Sequence, residues 1–368
     1  MTGKIRVLMA DDSSVVRRIL TQVISDSGSC EVVFAGKNGK EAVDNLEVAK
    51  PDVVVLDVEM PVMDGIETVE AIRKKSARIP IVMCSSLTCA GGTATLEALA
   101  HGANDYVAKP AGTGHMDRAL DQLKAELLPK LISWGEQHRR KTRPAFTPSK
   151  RPVATKQSQV TKASGPAEIV VIGVSTGGPN ALADLLPALP KTLPVPVLIV
   201  QHMPPVFTGL LADRLNKTCP LEVREATKET PLRPGTIWIA PGDFHLVAAK
   251  RGAMNVLTTN KDPHENSCRP AVDVLFRSAA KVFGGKTLAV MLTGMGSDGL
   301  DGCKSVYHAG GRILVQDEES STVWGMPRVV AEAGIATKIL PLNKIANEIA
   351  LNVQGSNTSK ILATSMTT

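Results

Sequence analysis

The chain has 368 residues, of which 43% are hydrophobic but only 3% aromatic, and a formal net charge of +6. At roughly 100–200 residues per domain it should hold two domains, with cores built from aliphatic side chains as in parallel α/β sheets. The charge argues against a basic nucleic-acid-binding face. Residues 1–134 carry 15 Lys+Arg against 18 Asp+Glu and residues 167–368 carry 19 against 17, so the excess sits in residues 135–166, with 8 against 1.

The first 134 residues alternate strand-like and helix-like stretches. Strands are expected at 5–10, 30–35, 51–57, 79–86 and 105–109. Between them, apolar residues recur at three- and four-residue spacing, as on amphipathic helices. Such a series of βα units predicts a doubly wound parallel sheet, which binds ligands at the carboxyl ends of its strands. Residues 135–166, with four prolines and little apolar periodicity, read as an extended basic linker. From 167 the α/β rhythm returns. Strands are expected at 167–175, 194–202, 236–242, 287–294 and 311–317, and helices over 207–218, 269–283 and 298–310. Residues 355–368 read as a flexible tail. Six cysteines without a CxxC pair, no signal-peptide-like segment and no long apolar run lead to the expectation of a cytoplasmic protein with no membrane insertion.

Asp11, Asp12, Asp57, Ser85 and Lys109 all fall at expected strand ends of the first domain. Three converging carboxylates repel one another and need a cation; oxygen ligands suit Mg²⁺. A carboxylate beside Mg²⁺ can attack phosphorus, and Lys109 with the Ser85 hydroxyl can hold the phosphoryl oxygens. The simpler reading, that Asp11 and Asp12 merely cap a helix, leaves the other three unexplained. The order and spacing of DD, LDVEMPVMDG, SS and KP resemble the response-regulator receiver family over residues 4–130. That resemblance implies a flavodoxin-like fold. It implies that Asp57 is the phosphoacceptor, that Asp11, Asp12, Asp57 and the Glu59 carbonyl hold Mg²⁺, and that Ser85, Lys109 and Tyr106 sense the phosphoryl group. It also implies a sensor histidine kinase as phosphodonor.

In the second domain, G173-V174-S175-T176-G177-G178 follows an aliphatic strand and precedes a helix. The glycines allow a sharp turn and close approach to Ser175, though GxSxG alone is a weak signal. His202 and Asp298 also follow expected strands. Histidine can take the serine proton and aspartate can orient the imidazolium. Each also has a bland reading, a buried hydrogen-bonded histidine and a helix cap. The chain order Ser, His, Asp differs from that of α/β-hydrolases, so that fold is not implied.

IGVSTGGP, VQHMPPVFTGLLADRL, IWIAPGDFHL, RPAVDVLFRSAA and LTGMGSDGLDG resemble the catalytic domain of the protein-glutamate methylesterases of bacterial chemotaxis. The resemblance implies a Rossmann-like domain over 167–354, with Ser175 as nucleophile, His202 as base, Asp298 as orienting carboxylate, Thr176 as support for the histidine and the Met295 N–H in an oxyanion hole. It implies phosphorylation-activated hydrolysis of glutamate methyl esters on chemoreceptor cytoplasmic helices and deamidation of receptor glutamines, with no cofactor in this domain. His245 and Arg269 are weaker substrate-contact candidates, and His264 reads as an exposed loop residue. A binding-only output domain is the alternative from another class. A transcription factor would need a basic recognition helix that residues 167–368 do not offer.

Overall fold

The computed structural model describes residues 3–86, 88–109, 116–142 and 165–354. The chain divides into two compact units, Met1–Arg151 and Pro152–Thr368.

In the first unit, β1 (Ile5–Ala10), α1 (Ser14–Asp26), β2 (Cys30–Gly36), α2 (Gly39–Ala49), β3 (Val53–Asp57), α3 (Gly65–Lys75), β4 (Ile81–Ser85), α4 (Cys89–Ala100), β5 (Asp105–Ala108) and α5 (Met116–Thr142) alternate without exception. The sheet is parallel with order β2-β1-β3-β4-β5, which places the topological switch between β1 and β3. Every residue of β3 and β4 is buried, as a sheet covered on both faces requires. Ser13, Asn38, Asp64 and Thr88 cap α1 to α4 by accepting a backbone N–H, and Asp64 closes a capping box with Glu67.

The expected linker boundary at residue 135 is corrected: residues 135–142 form the last turns of α5. Leu123, Leu127, Leu131 and Trp134 bury one face of that helix, and apolar periodicity stops there. Polar contacts carry it further. Arg139 donates to the carbonyls of Gly3 and Lys4 and pairs with Asp52 at 2.6 Å. A Cβ at Gly135 would crowd Ile5. Residues 143–164 of the expected linker and the expected tail 355–368 lie outside the described residues.

The second unit contains β6 (Ile169–Val174), α6 (Gly178–Leu185), β7 (Val197–Gln201), α7 (Phe207–Thr218), β8 (Glu222–Glu225), β9 (Thr230–Pro231), β10 (Thr236–Ile239), β11 (His245–Arg251) and β12 (Met254–Asn260). There follow α8 (Val272–Phe283), β13 (Thr287–Met291), α9 (Leu300–His308), β14 (Arg312–Gln316), α10 (Met326–Glu332), β15 (Lys338–Leu340) and α11 (Leu342–Gln354). Seven strands form a parallel sheet of order β15-β14-β13-β6-β7-β10-β8. The order reverses at β6, the strand that leads into Ser175. A doubly wound reading thus holds for both units. It omits the small antiparallel sheet β11-β12-β9, whose Leu246, Ala248 and Leu257 join the same core as α8. Phe276 of that helix is fully buried and lies close under Gly173.

Candidate active site and acidic pocket

Asp11, Asp57 and Lys109 meet at the carboxyl edge of the first sheet. Lys109 Nζ lies 2.8 Å from Asp11 Oδ2 and 2.7 Å from Asp57 Oδ2. Asp57 Oδ1 accepts the Val58 N–H at 2.7 Å, and Asp11 Oδ1 accepts the Ser13 N–H at 2.9 Å. Arg17 donates to the carbonyls of Asp11 and Asp12, which ties the acidic turn to α1. Burial pushes the Asp57 carboxyl above its ordinary range, and Lys109 opposes that rise. Burial also works to lower Lys109, but its bonds to Asp11 and Asp57 outweigh it and hold the ammonium above its ordinary value.

One lysine does not complete this pocket. Asp11 Oδ2 is buried, and its partner among the described residues is the Lys109 ammonium alone. Carboxylate oxygens of Asp11, Asp12 and Asp57 lie within 4.8 Å of one another. Three carboxylates beside a single ammonium form an all-oxygen donor set that fits a hard divalent cation such as Mg²⁺. Asp12, Asp57, Glu59, Ser86 and Lys109 line a cleft of about 200 Å³. Ser85 is fully buried and its hydroxyl donates to Gly91 O at 2.9 Å, so it is Ser86 that faces the cleft. Tyr106 is buried, with Lys130 Nζ 5.1 Å from its ring centroid and bonded to its carbonyl. Burial holds its phenol well above the ordinary value.

Ser175, His202 and Asp298 follow β6, β7 and β13 at one edge of the second sheet. His202 Nε2 lies 2.7 Å from Asp298 Oδ2. Asp298 is also held by the N–H groups of Val272 (2.6 Å) and Asp273 (3.1 Å) and by Asn266 Nδ2 (2.9 Å). Burial alone would raise its pKa; His202 and these donors hold it below the ordinary range. A carboxylate only accepts, so Nε2 carries a proton, and in the neutral imidazole Nδ1, 3.7 Å from Cys268 Sγ, is the nitrogen that can accept one. Burial works to lower His202, but Asp298 and Cys268 outweigh it and hold the imidazole up at about 9. Asp273, buried beside this pair, is raised by burial and by the charge of Asp298.

Ser175 sits between two glycine-dependent turns. Gly177 has φ +76°, and its missing side chain leaves room for Thr322. A Cβ on Gly294 would come within 2.9 Å of Ser175 Cβ and crowd Met326 Sδ. Gln201 Nε2 donates to the carbonyls of Ser175 (3.0 Å) and His202 (3.1 Å), locking the two strand ends together. Gln316 Oε1 accepts the Thr293 N–H at 2.8 Å, steadying the turn before Met295. Among the described residues the Met295 N–H finds no hydrogen-bond acceptor, as a donor reserved for a developing oxyanion would be. No hydrogen bond joins Ser175 Oγ to His202 in this structure; such bonds are often long before substrate binds.

Other expectations fare differently. Thr176 is not hydrogen-bonded to His202; its carbonyl accepts from Thr293 Oγ1 at 2.9 Å. His245 is fully buried, with both ring nitrogens engaged, by Pro263 O and Ala271 N. Arg269 spends its guanidinium on Asp243 and on the carbonyls of Lys261 and Asp262. Both residues therefore support the loop before α8. His264 is exposed. Sequence reasoning missed Gln201, Asn266, Cys268 and Asp273. A glutamine ending the aliphatic strand VLIVQ was a usable signal; the other three carried none.

The CheB methylesterase family profile matches residues 170–349, and the response regulator receiver domain profile matches residues 7–121. A protein-glutamate methylesterase/protein-glutamine glutaminase of Trichodesmium erythraeum is 46% identical over 346 residues, covering 94% of this chain and 98% of its own. The enzyme of that name from a Nocardioides species is 46% identical over 347 residues, covering 94% of each chain. The crystal structure of the Thermotoga maritima CheB methylesterase catalytic domain matches with 45% identity and a TM-score of 0.49, covering 50% of this chain and 97% of that one. The chain belongs to the protein-glutamate methylesterase/protein-glutamine glutaminase family, hydrolases in which a response-regulator receiver domain precedes a CheB methylesterase domain.

Proposed function

We propose that this chain removes methyl esters from glutamyl side chains on the cytoplasmic helices of chemoreceptors and deamidates selected receptor glutamines, under control of phosphorylation at Asp57. The observation that carries the reading is the His202–Asp298 pair at 2.7 Å, set at one sheet edge with Ser175 and the unbonded Met295 N–H.

Ser175 Oγ attacks the ester carbonyl carbon as His202 Nδ1 takes its proton. The Met295 N–H faces the oxyanion of the tetrahedral intermediate. The intermediate collapses with loss of methanol, protonated by His202. Water then attacks the acyl-serine, again giving a proton to His202, and the glutamate carboxylate leaves as Ser175 regains its proton. With a glutamine substrate the leaving group is ammonia. Asp298 keeps the Nε2–H in place and stabilises the imidazolium throughout.

In the receiver, Asp57 is the phosphoacceptor. Asp11, Asp12 and Asp57, with the Glu59 carbonyl, would hold Mg²⁺, which when bound neutralises charge on the phosphoryl group. Lys109 pairs with a phosphoryl oxygen, and Ser85 turns from Gly91 to meet another. Tyr106 senses the change. A histidine kinase supplies the phosphoryl group, and the cytoplasm is where kinase and receptor helices meet. The unphosphorylated receiver restrains the hydrolase, since modest interfaces inside a chain are readily shifted by one charged group.

Methanol release from methylated receptor membranes tests the activity. Ser175→Ala should abolish it; a binding-only output would retain its signalling function. The fragment 152–368 should release methanol faster than the unphosphorylated full chain. A fragment no faster would refute the restraint.

A further inference from the structure

The free nitrogen of His202 does not face empty space. Cys268 Sγ lies 3.7 Å from Nδ1, and donor atoms of His202, Cys268 and Asp298 fall within 4.8 Å of one another. We propose that His202 Nδ1 and Cys268 Sγ form a binding site for a thiophilic divalent cation of the Zn²⁺ type, and that its occupancy switches the hydrolase off.

Three features make this a built site. The first is spacing. With Zn–N of about 2.0 Å and Zn–S of about 2.3 Å, tetrahedral ligands stand roughly 3.5 Å apart, close to the separation found. The second is tautomer. A metal-bound histidine ordinarily donates its other ring N–H to a carboxylate, and Asp298 already takes the Nε2–H at 2.7 Å. The third is support. Asn266 and Ser267, at φ 52° and 61°, turn the chain tightly between Glu265 and Cys268, whose backbones exchange hydrogen bonds of 3.1 and 2.9 Å. Two successive left-handed residues are the mark of the type I′ turn, which prefers Asn at such positions. Arg277 clamps Glu265 through both carboxylate oxygens, Arg269 anchors the far side on Asp243, and Asn266 reaches Asp298. Cys268 is therefore held in front of the histidine.

The donor set distinguishes this site from the receiver pocket. Imidazole and thiolate select Zn²⁺ over Mg²⁺, whereas the Asp11, Asp12 and Asp57 oxygens select the reverse. Binding forms Zn–N and Zn–S bonds, releases the Cys268 thiol proton to solvent and leaves water in the remaining positions. No electrons are transferred. The lone pair on Nδ1 is then consumed, so Ser175 has no base. Inhibition rests on the proposed role of His202; the binding itself does not.

The test uses the full chain in saturating Mg²⁺ without phosphodonor. Zn²⁺ is titrated against methyl-ester hydrolysis, and Co²⁺ is titrated separately while thiolate-to-cobalt charge-transfer absorption is recorded. The wild-type chain should lose at least about ten-fold of its activity, the loss expected when a general base is removed, and should show the absorption. Measured against its own zinc-free rate, Cys268→Ser should resist Zn²⁺, and it should lack the absorption; Cys268→Ala serves if the serine variant misfolds. Equal Zn²⁺ inhibition of wild type and variant, or no cobalt–thiolate absorption in the wild type, would overturn the proposal. Absorption in a chain that hydrolyses no ester would uphold the site and refute the catalytic reading instead.

Discussion

Replacing Asp298 with asparagine should damage base, tautomer and fold together. Every partner of the two carboxylate oxygens is a donor: His202 Nε2 and Val272 N on one, Asp273 N and Asn266 Nδ2 on the other. An asparagine NH₂ must face one of these pairs, leaving at least one buried N–H without an acceptor, at a cost of about 1–3 kcal/mol. The imidazole loses one of the two partners that hold it up at about 9; Cys268 remains, and so does the burial that lowers it. Its pKa should then fall from about 9, each unit of the fall being about 1.4 kcal/mol of lost preference for the imidazolium. The alkaline rise in kcat/KM, which follows deprotonation of the base, should move toward acid. Loss of the imposed tautomer should lower kcat on the order of 10³–10⁴-fold, as in other serine triads. The wild-type histidine also contributes stability that is complete below pH 6.5 and lost as pH rises toward about 9; the variant should show a shallower slope. Steady-state kinetics from pH 5 to 10 and thermal melts over the same range read both effects. A variant with near wild-type kcat and an unmoved pH limb would refute the role given to the His202–Asp298 pair.

Lys109→Ala leaves Asp11 and Asp57 facing one another without their cation. The receiver should lose about 3–5 kcal/mol of stability, as other broken buried pairs do, and millimolar Mg²⁺ should restore part of it in denaturant titrations. Gly294→Ala should crowd Met326 and Ser175 and reduce kcat far more than it raises KM. Arg269→Lys should lower the thermal midpoint while KM stays within about two-fold, because this side chain holds a loop and not a substrate.

Both parallel sheets were legible because near-continuous aliphatic strands such as PDVVVLD and TLAVMLTG leave few other readings. Strand ends then located Asp57, Ser175, His202 and Asp298, since a doubly wound sheet gathers those ends at one edge. The C-terminal part of α5 was hidden for two reasons. Pro129 argues for a break, and beyond Trp134 the helix is held by Arg139, whose partners Gly3, Lys4 and Asp52 are remote in sequence. The hairpin of β11 and β12 was missed because its buried residues alternate only weakly along HLVAAKR and MNVLTTN. The turn carrying Asn266 and Cys268 lies in a polar loop with no periodicity, and its contact with the histidine exists only in three dimensions. Arg269 and His245, the weaker candidates for substrate contact, bond within the loop before α8, the commoner role for such residues.

The most direct test of the account is methanol release from methyl-labelled chemoreceptor membranes by the purified full-length chain, with and without a small phosphodonor plus Mg²⁺. The account predicts release that rises with phosphodonor, vanishes in Ser175→Ala and loses its phosphodonor response in Asp57→Asn. Release that is absent under both conditions, or equal in wild type and Ser175→Ala, would contradict it.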